Sequence, residues 1–149
     1  MIEKTEIESN DKKKKHSMKH FDYYLSKCAM DEFSFTSHKS MKYEDIDKKL
    51  LGKYTTYLGE LARQRMSPNL PLLKYLSALS YLSAFKCWCL DKWDDRDKPK
   101  VFEKDNWKRY LRSIRKMKLK QARLNNEVCF YILNSKFLLN KKKFNDNFF

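Results

Sequence analysis

Apolar positions recur at helical spacing along most of the chain. Met18, Phe21, Leu25 and Cys28 fall on one helical face, which predicts a first helix opening near Ser17. Residues 31–40 lose the period and hold Ser34, Thr36, Ser37 and Ser40, the pattern of a loop. A second helix is expected over residues 43–65, with Ile46, Leu50, Tyr54, Leu58 and Leu61 as its stripe and Tyr57 beside it. Gly52 and Gly59 share one face of that helix, and each weakens it by about 1 kcal/mol relative to alanine. Their expected use is close approach of a neighbouring helix. Ser67-Pro68-Asn69-Leu70-Pro71 reads as a turn. The helix predicted over residues 71–93 is apolar almost all round, with Leu72, Leu73, Leu76, Leu79, Leu82 and Phe85 among small Ser77, Ala78, Ser80, Ser83 and Ala84. Such a helix belongs in the centre, packed on two or more sides. After a charged loop ending at Pro99, Asp105 or Asn106 is positioned to cap a fourth helix carrying Trp107, Tyr110, Leu111, Ile114 and Met117. A fifth is expected over residues 127–139, with Val128, Ile132 and Phe137.

The two ends differ from this pattern. Residues 1–16 mix Glu3, Glu6, Glu8 and Asp11 with the run Lys12-Lys13-Lys14-Lys15 and are expected to form a disordered charged tail. The lysine run suits a nuclear address, a nonspecific phosphate contact or a solvated tail. Residues 140–149 are expected to be a basic and aromatic tail. The organisation is therefore all-α: a single bundle of four to five helices over residues 17–139.

Composition narrows the class. The 149 residues are 42% hydrophobic, enough for a real core in one domain. Two glycines and three prolines are too few for the turns of a sandwich or barrel. No apolar run reaches the ~18 residues of a membrane span, and the start of the chain lacks a secretory h-region. An intracellular protein is expected, nuclear if its source is eukaryotic. Lys and Arg outnumber Asp and Glu by 33 to 19, a formal charge of +14, which points to a polyanionic partner.

Chemistry-bearing residues are sparse. Cys87-x-Cys89 is not zinc-knuckle spacing, and Cys28 and Cys129 stand apart, so free thiols and no metal are expected. His16, His20 and His38 precede most of the expected core, and Asp94, Asp95 and Asp97 alternate with Arg96 and Lys98 as a solvated loop would. No catalytic set and no cofactor is expected.

The fourth helix carries the clearest functional signal. Residues 107–123 hold eight basic side chains (Lys108, Arg109, Arg112, Arg115, Lys116, Lys118, Lys120 and Arg123) and no acidic one. At about 100° per residue, Arg109, Arg112, Lys116, Lys120 and Arg123 fall within a sector of roughly 80°, nearly opposite the apolar set. Stability alone would favour interspersed glutamates. A single-sign stripe fits a polyanion, nucleic-acid phosphate above all; a solvated face in a basic protein is the bland alternative.

The segment Leu70-Pro71-Leu72-Leu73-Lys74-Tyr75-Leu76-Ser77-Ala78-Leu79, continued by Ser80-Tyr81-Leu82-Ser83-Ala84-Phe85, resembles the core-binding domain of tyrosine recombinases. There a basic residue precedes an aromatic and Leu-Ser-Ala-Leu, with another aromatic a few positions on. Lys53-Tyr54-Thr55-Thr56-Tyr57-Leu58 is similar to that domain's earlier helix. His20-Phe21-Asp22-Tyr23-Tyr24-Leu25 and Trp107-Lys108-Arg109-Tyr110-Leu111-Arg112 are similar to the Crypton-like eukaryotic branch. The likeness covers about residues 18–127. The family often has Thr at the place of Pro71 and a basic residue at that of Ser80. The resemblance implies a SAM-like helical bundle forming one jaw of a clamp on duplex DNA. It implies phosphate contacts from Arg109, Arg112, Lys116, Lys120 and Arg123, and groove contacts from the exposed edge of the central helix around Lys74 and Ser77.

The family's catalytic half needs an Arg, a Lys, a His-x-x-Arg and a nucleophilic Tyr. Only 26 residues follow Arg123, and three positions after His16, His20 and His38 stand Lys19, Tyr23 and Met41. The expected protein is therefore a DNA-binding domain without strand cleavage, of the kind a mobile element encodes, with truncation of a longer product left open. It would act with a separate catalytic chain or as a homo-oligomer. An RNA-binding or ribonucleoprotein subunit and a basic protein-interaction adaptor remain the alternatives.

Overall fold

In the computed structural model, residues 2–136 are described in backbone and residues 12–126 also in side chains. The elements are α1 (Ile2–Tyr23) with a π-helical turn at its end (Tyr24–Cys28), a 3-10 turn (Tyr43–Asp45), α2 (Lys48–Thr56) with a second π-helical turn (Tyr57–Leu61), α3 (Tyr75–Lys92), a 3-10 turn (Lys100–Phe102) and α4 (Lys104–Lys136). Among the described residues there is no strand, and the four α-helices pack together. The expected all-α bundle is the fold.

Aromatic rings hold the centre. Phe21 of α1 meets Tyr54 of α2 edge-on at 5.0 Å and Phe85 of α3 at 4.8 Å; Tyr24 lies 5.1 Å from Tyr54 and 4.8 Å from Tyr57. Phe85 reaches Phe102, which meets Trp107 of α4 edge-on at 5.6 Å. Rings at 4.5–7 Å and tilted, as here, add about 0.5–1.5 kcal/mol per pair to their burial. One chain of rings thus ties all four helices. α1 packs on α3, and α4 packs on α2, the second π turn and α3.

Several boundaries differ from those read in the sequence. α1 opens at Ile2, so residues 2–16 are helical rather than a disordered tail. The segment has neither glycine nor proline to stop a helix. Further along α1, Lys14 Nζ reaches Asp91 at 2.8 Å on α3. The second helix starts at Lys48, not near Tyr43, because two carboxylates cap two separate turns. Asp45 accepts the Lys42 N–H at 2.7 Å, and Asp47 accepts the Leu50 N–H at 2.9 Å. α3 begins at Tyr75 instead of Pro71. Leu73, 2% exposed, enters the core from the non-helical stretch before α3, and its N–H donates to the Ala62 carbonyl at 3.3 Å. α4 starts at Lys104, with the Trp107 N–H on the Glu103 carbonyl at 2.8 Å. It then runs unbroken to Lys136, so the expected fourth and fifth helices are one. Asn125-Asn126 is a weak pair for a helix but no breaker. Residues 137–139 of the expected fifth helix and the expected tail at 140–149 lie outside the described residues.

The glycines divide. A Cβ on Gly59 would collide with the Met117 methyl and sulfur, so this glycine admits α4. Gly52 faces open space and admits nothing, contrary to the expectation for both.

Candidate nucleic-acid interface

α4 has two faces because its sequence has two. Trp107 and Ile114 are buried, Tyr110, Leu111 and Met117 are half-buried, and Gln121 hooks the body by donating to the Gly59 carbonyl at 2.8 Å and that of Glu60 at 3.2 Å. Around the other side, Lys108, Arg109, Arg112, Arg115, Lys116, Lys120 and Arg123 are all exposed. The described ion pairs, Lys14–Asp91, His38–Asp22, Lys53–Glu32 and Arg96–Glu44, involve none of them. Lys118, counted in the sequence among the eight, belongs to the inner face. It is 9% exposed, burial pushes its ammonium below the usual lysine pKa, and its Nζ donates to Gln121 Oε1 at 3.3 Å. Leu119, 48% exposed, lies within the basic face between Arg115 and Arg123, a place for apolar contact beside the cations.

The five stripe residues Arg109, Arg112, Lys116, Lys120 and Arg123 therefore share one open helix face. Lys74 and Ser77 are not on it. Lys74 is exposed on extended backbone just before α3, and Ser77 is half-buried on the first turn of α3. That first turn is nonetheless open: Leu76 is 76% exposed and Tyr75 36%. The helix expected to pack on two or more sides does so, against α1, α4 and the second π turn, and its start is bare.

The histidines do other things. His20 stacks on Tyr81 at 4.1 Å and is 9% exposed; burial first, then the neighbouring His16 and Arg63, lower its pKa to about 4. It is a neutral core ring. His38 is tied to Asp22, whose carboxylate takes the His38 N–H at 2.7 Å and Nδ1 at 2.7–2.8 Å. Nothing in the sequence spacing announces that pair, since a loop residue meets a helix residue. Cys28 is half-buried, Cys87 exposed and Cys89 buried, and burial raises the Cys28 and Cys89 thiols above the usual range. Among the described residues, no three of His, Cys, Asp and Glu converge on one point, and no helix is long and apolar enough to cross a membrane. No protein-family model, no curated protein and no solved structure matches the chain.

Proposed function

We propose that this protein binds double-stranded DNA through the outer face of α4. The observation that carries the reading is the stripe of Arg109, Arg112, Lys116, Lys120 and Arg123. All are exposed, none is in the described ion pairs, and they are held in register by a helix anchored through Trp107, Ile114 and Gln121. Cations fixed at helical pitch bring their charge to a polyphosphate without much ordering, and counterion release supplies the affinity. The resemblance to the core-binding half of tyrosine recombinases adds Lys74 and Ser77 as groove contacts. On that reading the chain positions DNA but does not cut it, working with a separate catalytic chain or a second copy, in the nucleus if the cell has one.

The test is duplex-DNA affinity measured against salt. Replacing Arg112 and Lys116 with Gln should weaken binding and lower the salt slope by about two, at roughly 0.9 per phosphate contact. An unchanged affinity and slope would reduce the stripe to a solvated face. Tighter binding to structured RNA than to DNA at matched salt would move the reading to a ribonucleoprotein subunit.

A further inference from the structure

A second basic site lies away from the stripe. Lys14, Lys15, Met18, Lys19 and Asp22 of α1, His38 and Lys39 of the following loop, and Trp88 of α3 enclose a cavity of about 660 Å³. It belongs to the flank where α1 meets α3, whereas the stripe is on α4, packed against α2, the second π turn and α3. Four lysines and one carboxylate line it, with Asp91 beside Lys14 at its rim. The lining carboxylate, Asp22, is already engaged by the His38 N–H and Nδ1. The His38 ring, held on Asp22 through Nδ1, stands edge-on to Trp88 at 5.0 Å. Lys14 is committed to Asp91 at 2.8 Å. Lys15, Lys19 and Lys39 are exposed and belong to none of the described ion pairs. A fold gains nothing from converging like charges on one concavity, and a bound anion would offset their repulsion.

We propose that this cavity binds a phosphate group, with Lys15, Lys19 and Lys39 as its cationic ligands. The phosphate has two possible sources of one chemistry: a free nucleotide, or the 5′-phosphate of a nucleic-acid strand. The proposal does not depend on the α4 stripe.

The experiment titrates the full chain with inorganic phosphate and with AMP, following the Trp88 indole and His38 ring resonances by NMR. It then compares a short single-stranded oligonucleotide with and without a 5′-phosphate. Saturable shifts at both rings with phosphate or AMP are expected. The variant Lys15→Gln, Lys19→Gln, Lys39→Gln should weaken them about tenfold or more, since one charge-assisted contact accounts for roughly that factor. The charge-matched variant Lys12→Gln, Lys13→Gln, Lys104→Gln should bind as the wild type does. A 5′-phosphate that tightens the oligonucleotide at these resonances assigns the site to strand ends; tightening by AMP alone assigns it to free nucleotides. Absence of saturable shifts in the wild type, or equal weakening by the two variants, would overturn the proposal. Neither result would touch the salt slope read from α4.

Discussion

Many charges on the first two-thirds of the chain are engaged with the fold, whereas none of the described ion pairs takes up a cation on the outer face of α4. Asp47 caps α2, Asp45 caps the turn before it, and Asp22 fastens the loop at His38 to α1. Lys53 pairs with Glu32 at 3.0 Å, and Lys49 Nζ donates to the Glu32 carbonyl at 3.0 Å. Arg96 lies over the Tyr43 ring at 4.1 Å and reaches Glu44 at 3.5 Å. Exposed pairs of this kind contribute little each, about 0–1 kcal/mol; caps and the half-buried Asp22–His38 contact contribute more. On α4, seven cations have no such task. The comparison teaches where to look for function in a protein this basic: net charge of +14 says only that a polyanion is attractive, while the subset of charges the fold does not use says where.

The largest expected effect separates the two faces of α4. Ile114 is 0% exposed, so Ile114→Asp buries a charge with no partner. A loss of at least about 3 kcal/mol is expected, enough to unfold a marginal domain. Urea denaturation followed by circular dichroism would read it. A variant that kept most of its stability would mean that α4 is not seated as described, and the distinction between its faces would fall with it.

That distinction was legible in the sequence, because period and charge sign agree over residues 107–123. So was the core: Met18, Phe21, Leu50, Tyr54, Leu58, Leu82, Phe85 and Ile114 are buried as their spacing implies. What was not legible depends on contacts far apart in the chain. The helical start of α1 lacks an apolar stripe, so periodicity is silent about it. The start of α3 is set by Leu73 reaching Ala62, and the inward turn of Lys118 by its place between Ile114 and Gln121 on the body side of α4. The cavity at Asp22 and His38 joins a helix, a loop and Trp88 of a third element, and no spacing rule links them. The π turn at Tyr57–Leu61, closed by the Ala62 N–H on the Tyr57 carbonyl at 2.8 Å, also escaped. Only the packing of Met117 against Gly59 shows what that turn accommodates.

The seat of α4 can be probed more gently at the glycines. Gly59→Ala sets a methyl into Met117 and should destabilise by about 1–3 kcal/mol, the usual range for overpacking. Combining it with Met117→Ala should recover part of that loss, since the obstructing side chain is gone. Gly52→Ala meets open space inside α2 and should stabilise by about 1 kcal/mol through helix propensity. Thermal melts of the three variants would check the signs. Equal effects at the two glycines would remove Gly59 as the gate for α4.

The smallest effect tests the comparison directly, by deleting charge from each region. Asp47→Ala leaves the Leu50 N–H at the start of α2 without its side-chain acceptor, and should destabilise by about 1 kcal/mol. Replacing Arg112 and Lys116 together with Gln removes twice the charge but no intramolecular contact among those described. Gln is nearly as good a helix former as Arg or Lys, and two repelling cations disappear, so stability should stay within about 0.5 kcal/mol or rise slightly. The rise should shrink as salt screens the repulsion. Urea midpoints for both variants at low and moderate salt would decide it. If the double Gln variant lost as much stability as Asp47→Ala, the α4 cations would be supporting the fold. Their availability to a polyanion would then have to be argued from something other than their lack of partners.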